Sequence, residues 1–232
     1  MNIGFMQSND LSKNDHELER FFFLEKILNY PNDDQFLRFN SSNNYFESTK
    51  KDKFLIKNGV LDCFINDGDE ITNTQKDFYE KIKFPNYDEL DNFGTLIDKS
   101  KKRSIFFQKL DNEIPMNSKV LEAGCGTGQL SLFLSRFKRI VFSIDLSLSS
   151  LELGEDFRKK NEINNVYFIR MNLFKLFFAK NFFDVIISNG VLHHTNNPKE
   201  AFIALTKYLK KDGYIIIGLY HKYGRIFTNF QQ

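Results

Sequence analysis

The sequence predicts an α/β protein with a doubly wound parallel sheet in its carboxyl-terminal half. Two observations carry that prediction. Beyond Pro115, short apolar strands alternate with helix-patterned segments at the spacing that right-handed crossovers need. One of the intervening turns, in KVLEAGCGTGQLSLFLS (119–135), is glycine-rich and has the outline of a nucleotide-binding strand-to-helix turn.

Taken in order, residues 1–14 are polar. From Asp15 to Leu28, Leu18, Phe21, Phe22 and Leu28 recur at helical spacing. NSSNNYFESTKKDK (40–53) reads as a polar linker. KFLIKNGVLDCFI (53–65) places two apolar runs around Asn58-Gly59, a strong hairpin signal. Helices are expected over Thr74–Lys83 and over about Gly94–Leu110. The five strands that follow are KVLEAG (119–124), RIVFSID (139–145), VYFIRMN (166–172), FDVIISNG (183–190) and GYIIIGLY (213–220). Their near-continuous apolar character suits a buried parallel sheet. Leu130, Phe133, Leu134 and Phe137 form one helix face, and a further helix begins near Ser147. The last helix starts with Asn197 as cap, Pro198 at its first position and Glu200 three residues after the cap. It is expected to end near Lys211, with Gly213 closing it. The chain thus divides into a helical or irregular segment (1–52), a small hairpin and helical extension (53–114) and the α/β domain (115–232).

Composition narrows the function classes. With 232 residues and a formal charge of +2, no global basicity points to nucleic acid or a membrane surface. No apolar run approaches the roughly 20 residues needed to span a bilayer. No signal-peptide pattern opens the chain. Cys63 and Cys125 match no metal-ligand or disulfide spacing, so no metal is expected and a reduced, cytoplasmic setting is the simplest reading. KSKKR (99–103) reads as an exposed helix face.

The glycine turn separates the nucleotide classes. A dinucleotide fingerprint would need glycine at position 129, which is Gln129. Glu122 brings a carboxylate to the same turn, awkward beside a pyrophosphate but useful beside an ammonium or sulfonium group. A nicotinamide-dependent oxidoreductase is therefore disfavoured. Asp145 ends the next strand, where an acid can accept hydrogen bonds from ribose hydroxyls.

With VLEAGCGTG (120–128), IDLS (144–147), FDVIISNGVLHHTNNPKEAF (183–202) and LKKDGYIIIGLY (209–220) in this order, the sequence resembles the class I S-adenosylmethionine-dependent methyltransferases. The resemblance covers about 115–220 and implies a Rossmann-like sheet of which five of the usual seven strands are present. It implies that S-adenosyl-L-methionine lies along Glu122, Ala123, Gly124, Cys125, Gly126 and Gly128. Glu122 would engage the amino group, and Asp145 with Leu146 the ribose. Where many relatives carry an acid at the end of the third strand, this chain has Asn172; its side-chain oxygen can accept the adenine amino hydrogen bond, and Leu173 can supply a backbone N–H. Asn189 and Gly190 would border the cofactor.

Methyl transfer from a sulfonium needs alignment more than activation, and a base only where the acceptor has a proton to lose. His193 and His194 leave the fourth strand at the ligand-binding edge of the sheet and are the candidate bases; as neighbours they are expected to point in different directions. Phe84 and Tyr87 offer aromatic rings that could cover a sulfonium, with core packing as the competing role. Residues 221–232 are too few for a helix and two further strands. A truncated chain is the preferred explanation, and 213–220 would otherwise be an edge open to pairing. The reading is thus a methyltransferase with an unidentified small-molecule acceptor. Its alternative is an inactive S-adenosylmethionine-binding module, or the partner subunit of an active enzyme.

Overall fold

A continuous sheet organises the computed structural model, which describes residues 13–33, 35–66, 68–81, 85, 87 and 92–219. In chain order the elements are α1 (Lys13–Glu25), β1 (Arg38–Asn40), β2 (Tyr45–Glu47), β3 (Lys53–Lys57), β4 (Val60–Asp62), α2 (Glu70–Lys81), α3 (Phe93–Arg103), α4 (Ile105–Glu113), β5 (Lys119–Ala123), α5 (Gln129–Leu134), β6 (Ile140–Asp145), α6 (Leu148–Lys160), β7 (Val166–Arg170), β8 (Phe183–Asn189), a 3-10 turn (Leu192–His194), α7 (Pro198–Thr206) and β9 (Leu209–Gly218). Among the described residues the strand order is β1-β2-β3-β4-β7-β6-β5-β8-β9. Strands β1 to β4 are antiparallel to one another, whereas β4 pairs parallel with β7, and every pair from there to β9 is parallel.

The parallel half follows the alternation of apolar runs in the sequence. Val120, Leu121, Val141, Phe142, Val166, Ile169, Ile186 and Ile187 are buried, because helices cover both faces of the sheet. One core cluster gathers Leu121, Phe142, Ile169 and Ile186 with Phe21, Leu24 and Leu28 of the amino-terminal segment; the other gathers Val120, Val141 and Val166 with Leu96, Leu110 and Phe133.

Four local expectations are corrected. The polar stretch 40–53 holds β2, whose Phe46 is buried against Phe39 and Phe54 from the neighbouring strands. The helix expected over 94–110 is two helices. Ser104 ends α3 through its N–H to Ser100 O, and its hydroxyl caps α4 by accepting from the Phe107 N–H. Helix α2 begins at Glu70, with Asp69 accepting the Thr72 N–H at 2.7 Å. Helix α7 stops at Thr206, and the KKDG sequence enters β9 rather than ending a helix; a Cβ at Gly213 would meet Asp184 O at 2.9 Å. The residues expected to follow the fifth strand, 221–232, lie outside the described residues.

The segment read as a separate hairpin extension therefore adds strands to the same sheet. Helix α1 is tied to it by charge as well as by apolar contacts. Arg20 donates to Asn164 O at 2.9 Å and Val166 O at 2.7 Å, and Arg158 of α6 reaches both Glu17 of α1 and Glu155. Among the described residues, no helix is long and apolar enough to cross a membrane.

Candidate functional site

Strand β5 delivers its carboxyl end into the glycine turn. The N–H groups of Gly124 and Cys125 both donate to Ile144 O, at 2.8 and 3.0 Å, which lays the turn across the end of β6. Gly126 N–H then donates to Asp145 Oδ2 at 2.8 Å, so the turn and the β6 acid are locked together. Gly124 (φ +80°) and Gly128 (φ +77°) have left-handed backbones that disfavour a side chain. Packing adds a second reason: a Cβ at Gly124 would lie 2.3 Å from Val191, and one at Gly128 would lie 2.3 Å from Phe168. Both glycines are thus demanded by the protein's own side chains.

The turn opens on a cavity of about 480 Å³ at the carboxyl ends of the parallel strands. It sits where the strand order reverses between β5 and β8, the position at which open α/β sheets bind ligands. Of the expected residues, Glu122, Gly124, Cys125, Gly126, Asp145, Leu146, Asn172, Leu173, Asn189, Gly190 and His194 line it. Three do not. Ala123 is fully buried in the core because alternation along β5 turns it from Glu122. Gly128 is the first cap of α5, and His193 is not on the cavity wall. The two ring centres are 4.1 Å apart, yet only His194 lines the cavity; adjacent residues of a 3-10 turn point about 120° apart.

Other lining residues come from the extension: Thr72 and Gln75 of α2, Pro85, and Phe107 of α4. No local signal marks them, since only the tertiary fold brings them over the turn. Tyr87 packs rather than covers. Its ring stacks on Phe157 at 4.5 Å, and its hydroxyl donates to Thr127 O at 2.7 Å. Thr127 in turn donates to Pro85 O, so the extension clasps the glycine turn. Phe84 lies outside the described residues. Asn172 serves the strand-end turn by accepting the Phe174 N–H at 3.0 Å while its residue borders the cavity.

The electrostatics are one-sided. Burial pushes the Glu122 carboxyl up to about 8; the Ser131 hydroxyl bonded to it opposes the shift and nearby Asp145 adds to it. Asp145 is also raised by burial, opposed by the N–H groups of Ser147, Gly126 and Leu146. Among the described lining residues there is no lysine or arginine. A buried and a half-buried acid facing a cavity lined by no lysine or arginine fit a ligand that brings its own positive charge. Carboxylate oxygens accept more than one hydrogen bond, so Asp145 can hold the turn and still accept from a ligand hydroxyl. Among the described residues no group of three His, Cys, Asp or Glu is placed to hold a metal.

Residues 121–217 match the family model described as "Methyltransferase domain". The matched region is similar to the ubiquinone biosynthesis O-methyltransferase of Pelagibacter ubique, 31% identical over 106 residues that make up 46% of this chain and 43% of that protein. It is also similar to the malonyl-[acyl-carrier protein] O-methyltransferase of a Paenibacillus species, 26% identical over 42% of this chain and 37% of that protein. The chain spans less than half the length of the curated relatives it matches. Among solved structures, the phosphoethanolamine N-methyltransferase 2 of Haemonchus contortus, with phosphomonomethylethanolamine and S-adenosylhomocysteine, shares the methyltransferase fold at a TM-score of 0.50 and 16% identity, over 66% of this chain and 39% of that one.

Proposed function

We propose that the chain is an S-adenosylmethionine-dependent methyltransferase acting on a small-molecule acceptor. The observation that carries this is the pairing of buried Glu122 with half-buried Asp145 on a glycine-turn cavity whose described lining has no lysine or arginine. When bound, the cofactor supplies a methyl group already activated by a sulfonium centre. Glu122 holds the ammonium group, Asp145 accepts from the ribose hydroxyls, and Asn172 with Leu173 faces the adenine. Asn189 and Gly190 border the donor. His194, on the same wall, faces the acceptor and takes its proton where one is lost; His193 supports its ring.

The chain's main contribution is alignment, which can supply about 7–11 kcal/mol of such a barrier. Thr72, Gln75, Pro85 and Phe107 line the cavity from the extension, which supports a small-molecule acceptor. Calorimetry with S-adenosylmethionine and S-adenosylhomocysteine tests the cofactor, with weakened binding expected in Asp145→Ala. A labelled-methyl assay against fractionated metabolites tests the transfer. Absence of binding by either ligand overturns the reading.

A further inference from the structure

The turn that leads from Asp145 into α6 is gripped from outside by two residues of different elements. Glu80 of α2 accepts the N–H of Leu148 at 2.9 Å and of Ser149 at 3.2 Å, and its carbonyl accepts from the Ser149 hydroxyl at 3.0 Å. The side chain thereby caps α6 from another helix, satisfying N–H groups that no bond within α6 can reach. A carboxylate is well placed there because it also meets the positive end of the helix. Ser147 satisfies the next N–H, that of Ser150, and Asp145 Oδ1 accepts the Ser147 N–H at 2.9 Å. Arg170, at the end of β7, donates to Leu146 O at 2.8 Å. Its remaining nitrogens reach Asp62 of β4 at 3.2 Å and Glu80 at 3.3 Å, and Phe64 lies beside its guanidinium.

We propose that Glu80 and Arg170 are positioning residues for the Asp145–Leu146 wall of the cavity, through which the amino-terminal extension sets cofactor affinity. The inference rests on the cofactor reading above. Asp145 is the last residue of β6, and only Leu146 and Ser147 separate it from α6. Every backbone group named in this segment is held by Glu80, Arg170, Ser147 or Asp145 itself. Loosening the outer grip shifts the Leu146–Ser147 turn and with it the Ser147 N–H that fixes Asp145 Oδ1, leaving the carboxylate held by the Gly126 N–H alone, whereas the Glu122 side of the cavity, built on β5, stays where it is.

The test uses the full chain and three ligands: S-adenosylhomocysteine, adenosine, and 2′,3′-dideoxyadenosine, which lacks the hydroxyls that Asp145 would bind. Dissociation constants are measured by calorimetry for the wild type, Glu80→Gln, Arg170→Met and Arg170→Lys, with melting temperatures alongside. Glu80→Gln and Arg170→Met are expected to weaken S-adenosylhomocysteine by about 10-fold, the scale of one charge-assisted hydrogen bond. The preference for adenosine over its dideoxy analogue should shrink with it, and Arg170→Lys should recover part of both. If Glu80→Gln does not fold, the two Arg170 variants carry the same test. Unchanged affinities, or equal losses for adenosine and dideoxyadenosine, overturn the inference and leave these residues as scaffold. A wild-type chain that binds none of the ligands overturns the cofactor reading and this inference together.

Discussion

Glu122 and Glu155 are both buried carboxylates beside the same sheet, with opposite surroundings. Glu155, on α6, has its side chain fully enclosed and meets Arg158 through two hydrogen bonds of 2.8 Å, with Lys159 Nζ 3.8 Å away and Glu17 on the far side of Arg158. Glu122 is 8% exposed, faces the Ser131 hydroxyl and lies near Asp145, another acid. The cost of burying charge is met inside the chain at one place and left open at the other. A buried acid supplied with its own cation is a tie between elements, here α1 and α6. On the proposed function, a buried acid on a cavity without one is half of a pair whose other half arrives with a ligand.

The largest expected effect breaks the tie. Arg158→Met leaves Glu155 buried without its main partner and should cost about 3–5 kcal/mol in urea unfolding. Cofactor affinity of the folded fraction should not move; a coupled loss of affinity would erase the distinction between the two sites. Next, Asp145→Ala should weaken S-adenosylhomocysteine by about 10–100-fold in calorimetry, since it removes hydrogen bonds to a charged group.

Glu122 predicts a pH effect of definite sign. Its folded value is raised from 4.5 to about 8, so the folded state keeps a proton that the unfolded chain has lost over that window. The stability of the ligand-free protein should therefore fall as pH rises from 4.5 to 8. Glu122→Gln should flatten the slope, and a melting series in which it keeps the wild-type slope would assign that slope elsewhere. At pH 7, binding of S-adenosylhomocysteine should release a proton from the wild type and less from this variant, read from the buffer dependence of the binding heat. The smallest effect tests the clasp: Tyr87→Phe loses the bond to Thr127 O and should cost about 0.5–1.5 kcal/mol in thermal unfolding.

Much of this contrast was legible in the residues. Strands β5 to β8, the glycine turn and the capped start of α7 are written locally, by apolar runs, glycines and the Asn197-Pro198 pair. Glu122 and Asp145 followed from their places at strand ends. The remainder depends on distant partners. Strands β1 and β2 are three residues each, and Asn-rich neighbours mask them; pairing and the burial of Phe39 and Phe46 make them strands. Ser104 splits a helix because its side chain competes for a backbone N–H, which hydrophobic spacing does not register. Thr72 and Gln75 meet the cavity only after α2 docks on α6. Leu209 joins β9 by pairing with Phe183, and Lys210 to Gly213 bulge out before Tyr214 resumes register with Val185, against the helical reading of LTKYLKKDG.

The join between β4 and β7 also sets an order of events. Leu61 pairs with Ile169, 169 − 61 = 108 positions later. On a ribosome adding about 5–20 residues per second, the meander waits roughly 5–20 s for the strand it docks against. Through that interval Phe21, Phe39, Phe46 and Phe54, all buried in the finished fold, have no sheet edge to cover them. The amino-terminal phenylalanines thus reach their final burial only after the parallel half of the sheet has been made.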